Sequence, residues 1–234
     1  WTHPANSGGD VEVNRLCVTV GGDFTLGAAA SINLDGCGYA AAMGPGAGNS
    51  AATTSGRSAS HGGSGARLGD GKGTYGSATC PEYPGSGAYS PGGGALKLAV
   101  GGDASIDGTV SAQGVNLAAN GNYCHGAGGS VMITAASFSG SGHIRAGIDR
   151  NGQTPYYGSG GGRVALRSAT AGDFSALTIS AYAHNAAGQG YGNAGTIYLE
   201  TPSARRLVID NGNVGDASAN YTDIPAKLHH AADR

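Results

Sequence analysis

Short stretches of alternating apolar and small polar residues recur along the chain. Each stretch has an apolar residue at its centre, and these centres are Val18, Leu98, Ile133, Leu166 and Leu199. From Leu98 onwards the centres lie 33 to 35 residues apart, and the interval before Leu98 equals one such period plus an insertion of about 45 residues. Because side chains alternate between the two faces of a strand, the pattern predicts half-buried β-strands.

A second strand follows each of the first four centres after 11 to 14 residues. These second strands are centred on Ile32, Val110, Ile144 and Ile179, and in the fifth unit "LVIDNGN" supplies one slightly earlier, at Leu207 and Ile209. Each unit therefore consists of a strand, a turn, a second strand and a glycine loop. One unit has a single thin apolar face, which it can bury only by stacking in parallel on its neighbours. The repeat predicts an all-β solenoid.

Composition supports a thin core made of small side chains. Glycine accounts for 46 of the 234 residues, and only 12% of the residues are charged. Alanine supplies much of the apolar content, so alanines at strand positions fit a narrow interior. We expect a single domain over residues 1–234, with a core over 11–213, a loop insertion over 40–92 and a C-terminal tail over 214–234.

Several glycine-rich phrases connect the chain to a known kind of protein. They are "VGGDFTL", "ASINLDGCGY", "GAGGSVMITAASFSGSGHIRAG", "GGGRVAL", "GNAGTIYLE" and "LVIDNGN". Together they resemble the glycine-rich repeat regions of large secreted bacterial surface proteins, over most of residues 11–213. The resemblance implies a right-handed parallel β-helix, here of about five to six coils with long Gly-rich loops on one side. It also implies an extracellular, adhesin-like or scaffold role, and it transfers no site residues.

Charge and hydropathy narrow the possible partners. The formal net charge of -2 gives neither the basic surface that binds nucleic acid nor a polybasic patch for anionic lipid. No run of about 18 apolar residues is present, so no membrane span is expected. We expect a partner that is either a second copy of the chain, bound end to end or laterally, or an extracellular polysaccharide. Because the chain starts at Trp1, we expect it to be a processed or excised piece.

The cysteines favour an oxidising, extracellular location. Four cysteines without a C-x-x-C pair suit disulfides better than a zinc ribbon. Three pairings are open, and four free thiols remain the alternative. We prefer Cys80 with Cys124, which both lie in loop-like sequence, and Cys17 with Cys37.

Tyrosines keep the phase of the repeat. The chain has 11 tyrosines against three phenylalanines and one tryptophan, and four of them precede a strand centre by 8 to 10 residues. We expect a vertical ladder on the glycine-loop side, formed by Tyr89, Tyr123, Tyr157 and Tyr191 with Tyr156 beside it. Such a ladder either holds the loops together or binds glycans or a neighbouring subunit.

Catalysis is the alternative hypothesis. The motifs of serine hydrolases, P-loop proteins and zinc proteases are absent from the sequence. Parallel β-helices nevertheless often carry polysaccharide lyases and hydrolases, by an analogy of fold alone. The candidate residues for such a site lie in the 40–92 insertion and are His61, Arg67, Lys72 and Tyr75. They combine an acid or base with cations that could neutralise a uronate carboxylate.

No cofactor is expected, with calcium as the one alternative. "GGSGA" starts like a calcium-binding nonapeptide repeat but lacks the aspartate that supplies the ligand. Oxygen-rich turns do occur near Asp23, Asp35, Asp103 and Asp107. "GYGNAG" matches a dinucleotide-binding fingerprint, but it precedes a strand instead of linking a strand to a helix.

Overall fold

The computed structural model describes residues 1–49, 57–66, 73–115, 124–148, 157–170, 172–183, 190–212 and 222. Within these ranges it contains strands and no helix. The strands are β1 (Leu16–Val20), β2 (Phe24–Leu26), β3 (Ser31–Asn33), β4 (Ala95–Val100), β5 (Ala104–Ile106), β6 (Thr109–Ser111), β7 (Ser130–Ala135), β8 (Phe138–Ser139), β9 (His143–Arg145), β10 (Arg163–Ser168), β11 (Thr178–Ser180), β12 (Thr196–Thr201) and β13 (Ala204–Val208).

The strands form three sheets. The first has six strands in the order β1-β4-β7-β10-β12-β13, the second has four in the order β11-β9-β6-β3, and the third has three in the order β2-β5-β8. All neighbouring strands are parallel except β12 and β13, which form an antiparallel pair. Parallel neighbours in each sheet therefore come from successive sequence units, whereas β12 and β13 belong to the same unit.

The sequence repeat fixes the register of two sheets. In the six-stranded sheet the five strand centres pair in one row, Val18 with Leu98, Leu98 with Ile133, Ile133 with Leu166, and Leu166 with Leu199. In the four-stranded sheet Ile32, Val110, Ile144 and Ile179 form a similar row. These rows belong to one apolar core, which Phe24, Leu26 and Ile106 join from the three-stranded sheet.

The prediction of a single right-handed parallel β-helix with five to six coils is wrong. Three sheets of unequal size are present, and only the first three units contribute a strand to each of them. The fourth unit supplies β10 and β11. The fifth supplies β12, after which the turn at Pro202 and Ser203 sends β13 back along β12 as an antiparallel partner. The described strands of this sheet therefore end in an antiparallel pair and not in a further parallel layer.

The segment at 40–92 contains no strand among its described residues, yet much of it is buried. Ala59, Ser60 and His61 are fully buried, and a second apolar cluster joins Ala59 and Ala66 to Cys124 and Tyr157. Farther along, the segment crosses the outer side of the six-stranded sheet. It is held there through the Ser130 hydroxyl, which donates to the Tyr83 carbonyl at 2.6 Å, and through the ion pair of Lys97 with Glu82 at 2.6 Å.

Glycines directly before the strands allow backbones to pack face to face. A Cβ atom placed on Gly129 would collide with the carbonyl oxygen of Gly94, and one on Gly195 would collide with that of Gly162. These four residues precede β7, β4, β12 and β10 respectively. The glycine loops are therefore a close-packed layer, which explains why glycine recurs with the period of the strands.

Candidate functional site

A polar surface covers the outer side of the four-stranded sheet. Because side chains alternate along each strand, the residues on either side of the central isoleucine or valine, which packs against the core, point away from it. They form two rows across the sheet, Ser31–Thr109–His143–Thr178 and Asn33–Ser111–Arg145–Ser180. We call these eight residues, together with Asp35 and Gln113 just beyond the strands, the polar face.

The polar face contains a groove at its β3 and β6 side. The groove has a volume of about 220 Å³, and its lining extends from Ser31 and Thr109 to Gln113 and Arg145. Asp35 Oδ1 forms its fixed end, because it accepts hydrogen bonds from the Ser111 hydroxyl at 2.6 Å and from the backbone N–H of Gln113 at 2.7 Å. One unit is thereby tied to the next, and the groove wall is held in place.

Two side chains of β9, Arg145 and His143, lie on the polar face, and Arg145 gives it a positive charge. The Arg145 guanidinium is half-buried in the groove and forms no ion pair within the described ranges. His143 lies two residues before Arg145 on the same strand and is also half-buried. Its Nδ1 atom is buried without a hydrogen-bond partner among the residues described. Arg145 presents a planar set of N–H donors that matches a carboxylate. The sequence analysis missed this surface, although "HIR" and "TVS" already carry its alternation.

His61 and Tyr75, two of the four candidate catalytic residues, lie together. Their rings are 4.6 Å apart. The Arg163 guanidinium joins them, since its Nε atom donates to the Tyr75 carbonyl at 3.0 Å. Tyr75 donates its hydroxyl to the Pro84 carbonyl at 2.6 Å and accepts one from Ser86 at 2.9 Å. Arg67 and Lys72 lie outside the described residues.

Burial determines the chemistry of this cluster. His61 and Arg163 are both completely buried. Burial, with a further contribution from Arg163, lowers the pKa of His61 to about 3, and burial raises that of Tyr75 well above its ordinary value. His61 is therefore neutral at pH 7 and is closed to a polymeric substrate. The contacts join the 40–92 segment to Arg163 of β10 and to Gly128 just before β7, which is a structural role.

The tyrosine positions do not form an open strip where the structure describes them. Tyr157 is 1% exposed and belongs to the apolar cluster under the 57–66 segment. Tyr89 and Tyr191 are partly buried, and Tyr123 and Tyr156 lie outside the described residues. Tyr157 thus packs loops together, and a ligand cannot reach its ring.

The preferred disulfides are absent, and the structure has all four cysteines as thiols. Cys80 contacts Met132 on the outer side of the six-stranded sheet, with its sulfur 3.7 Å from the methionine sulfur, whereas Cys124 is buried in the cluster around Tyr157. Cys17 is exposed, whereas Cys37 packs against the main core. In each predicted pair the two cysteines belong to different environments, which is why loop-like sequence was a poor guide.

The turn aspartates are occupied by hydrogen bonds between units. Asp23 Oδ1 accepts the backbone N–H of Asp103 at 2.9 Å, and Asp103 Oδ1 accepts the Ser137 hydroxyl at 2.7 Å. Asp107 accepts the backbone N–H of Ser141 at 3.0 Å. Within the described ranges no group of three or more histidine, cysteine or acidic side chains could hold a metal ion. In these turns the aspartates therefore connect one sequence unit to the next through hydrogen bonds.

Comparisons of the chain with protein-family models, with curated proteins and with solved structures give no match. Among the residues that the structure describes, no helix is long and apolar enough to span a membrane.

Proposed function

We propose that the protein is an extracellular adhesive module that binds an extended polysaccharide across its polar face, without catalysis. The observation that carries the proposal is the pair of polar rows on the four-stranded sheet, which contains an arginine without an ion-pair partner in the described part of the chain.

The rows suit a polymer that runs across the strands. Neighbouring strands lie about 4.8 Å apart, so each row offers hydroxyl, amide or imidazole groups at regular steps. Sugars present hydroxyl groups that both donate and accept hydrogen bonds, and side chains of this kind can pair with them. Single contacts of this type are weak in water, at about 1 kcal/mol each, so a long ligand that makes many of them is favoured over a monosaccharide.

Arg145 favours an acidic chain over a neutral one. Its guanidinium can donate two parallel hydrogen bonds to a uronate carboxylate. Asp35 lies in the same groove, but its Oδ1 atom is already occupied by Ser111 and Gln113. Among the residues that line the groove Arg145 is the one cation, and it has no ion-pair partner in the described part of the chain.

Two features that the sequence analysis used in favour of an extracellular binding module, the tyrosine ladder and the cysteines, do not support the present proposal. The tyrosine ladder is replaced as the binding surface, because Tyr157 is buried. The cysteines give no argument for an oxidising compartment, because they are thiols. The extracellular location rests on the glycine-rich, weakly charged composition and on the resemblance to secreted surface proteins.

Equilibrium binding to two soluble polysaccharides tests the proposal. Polygalacturonate serves as the acidic chain and dextran as the neutral one, each measured by titration calorimetry. We expect polygalacturonate to bind more tightly, and Arg145→Gln to weaken its binding by about tenfold, the loss of one charge-assisted hydrogen-bond pair. Thr109→Glu, which adds a negative charge to the groove, should weaken it further.

Arg206→Gln provides the matched control. Arg206 is an exposed arginine of β13, on a different sheet, so its loss removes the same charge without touching the polar face. This variant should bind as the parent does. Equal losses for Arg145→Gln and Arg206→Gln would mean that only net charge matters. Absence of binding to either polysaccharide would refute the proposal.

A further inference from the structure

One edge of the six-stranded sheet lacks a strand partner in the described part of the chain. β1 is the first strand of that sheet and pairs only with β4. The Val20 carbonyl accepts the N–H of Gly101 beyond β4, so it points inward to the sheet. Backbone groups alternate in direction along a strand, and Cys17 and Thr19 therefore carry their N–H and C=O groups on the open side.

The apolar row is also incomplete at this edge. Its members on β1, Leu16, Val18 and Val20, pack against the core but stay partly exposed, whereas Leu98 and Leu166 in the same row are 1% and 0% exposed. Trp1 is 58% exposed beside Phe24, with ring centroids 5.7 Å apart, at a cavity of about 320 Å³. Open backbone groups next to exposed apolar side chains are the usual conditions for strand addition.

The opposite edge of the same sheet does not complement β1. It is formed by β13, where Arg205 and Arg206 are exposed. Arg206 pairs with Leu199, so it lies on the side of the sheet that carries the apolar row. Adding β1 of another copy to β13 would place this charge against Leu16, Val18 and Val20. A head-to-tail fibre is disfavoured for this reason.

A second β1 strand complements the first. We propose that two copies of the chain associate through their β1 strands, paired antiparallel about a twofold axis at Val18. In this register Val18 faces Val18 of the second copy, and Leu16 faces Val20. Cys17 and Thr19 face each other across the axis, and their outward backbone groups exchange four hydrogen bonds. The interface is independent of the polar face, so it stands or falls separately from the proposed function.

Light scattering coupled to size exclusion measures the association directly. We expect the parent to move towards twice its chain mass of 22.7 kDa as its concentration rises. Thr19→Pro removes an N–H that points to the open side and leaves the pairing with β4 intact, so it should make the chain monomeric. Thr19→Ala keeps the N–H and is the matched control, which should associate as the parent does.

Cross-linking gives a second readout that needs no proline. Cys17 is exposed, and in the proposed register the two copies of its side chain are diagonal neighbours, about 7 to 8 Å apart. A short bismaleimide should therefore link two chains through Cys17, and Thr19→Lys should suppress that product. If circular dichroism shows that Thr19→Pro does not fold, Thr19→Lys replaces it in the light-scattering experiment. A parent that is monomeric at all concentrations, or association unchanged in folded Thr19→Pro and Thr19→Lys, overturns the proposal.

Discussion

Acidification should destabilise the fold through His61. Nδ1 lies 2.7 Å from the Gly128 carbonyl oxygen, which can only accept, so the neutral ring carries its proton on Nδ1. Nε2 is buried without a hydrogen-bond partner in the described structure. Protonation would add an unsatisfied N–H and a positive charge close to the buried Arg163.

The magnitude follows from the difference in pKa between the two states. The pKa of His61 falls from 6.5 to about 3 in the folded protein, mainly through burial. The unfolded chain therefore takes up the proton first, and stability is complete above pH 6.5 and lost progressively between pH 6.5 and pH 3. Each pH unit in that window costs about 1.4 kcal/mol, or about 2 kcal/mol between pH 7.5 and pH 5.

Urea unfolding at pH 7.5 and pH 5 measures the effect in the parent and in His61→Gln. The glutamine amide can still donate to Gly128, but it does not titrate in this range. The variant should be less stable than the parent at pH 7.5. Between pH 7.5 and pH 5 its free energy of unfolding should fall by about 2 kcal/mol less than that of the parent. Equal losses of free energy in the two proteins would refute the assignment of His61 as a buried neutral group.

Three further outcomes are expected. Gly129→Ala should cost about 3 kcal/mol or more of unfolding free energy because its Cβ meets the Gly94 carbonyl, whereas Gly22→Ala has open space; equal urea midpoints would contradict this packing. Asp35→Ala should cost about 1 to 3 kcal/mol, since two donors lose their acceptor, and an unchanged midpoint would contradict that role. Under native conditions a thiol reagent should modify Cys17 quickly and the buried Cys124 only on unfolding; mass spectrometric detection of a disulfide would contradict the thiol assignment.

The sequence predicted the strand register well because one residue marks each unit. Leu98, Ile133, Leu166 and Leu199 pair side by side as their spacing indicated. Alternation of apolar and polar residues reports which side of a strand is buried, and equal spacing reports which strands are neighbours. Both signals can be read directly from the sequence, and both are strong in this chain.

Other features left no such signal. The 40–92 segment was expected to be a loop insertion, yet its burial depends on contacts between backbones of distant glycines, which have no side-chain pattern. The antiparallel β13 was hinted at only by the early position of Leu207 in its unit. The polar face was missed because its residues are individually ordinary, and they become a surface only when β3, β6, β9 and β11 lie side by side.

An NMR titration of the labelled protein with polygalacturonate oligomers tests the central claim most directly. Binding across the polar face predicts chemical-shift changes concentrated at residues 31–35, 109–113, 143–145 and 178–180, with the Arg145 side-chain resonance among the most affected. Resonances of the 57–66 segment and of β13 should stay in place. Changes centred on those two regions, or no changes at saturating ligand, would contradict the account.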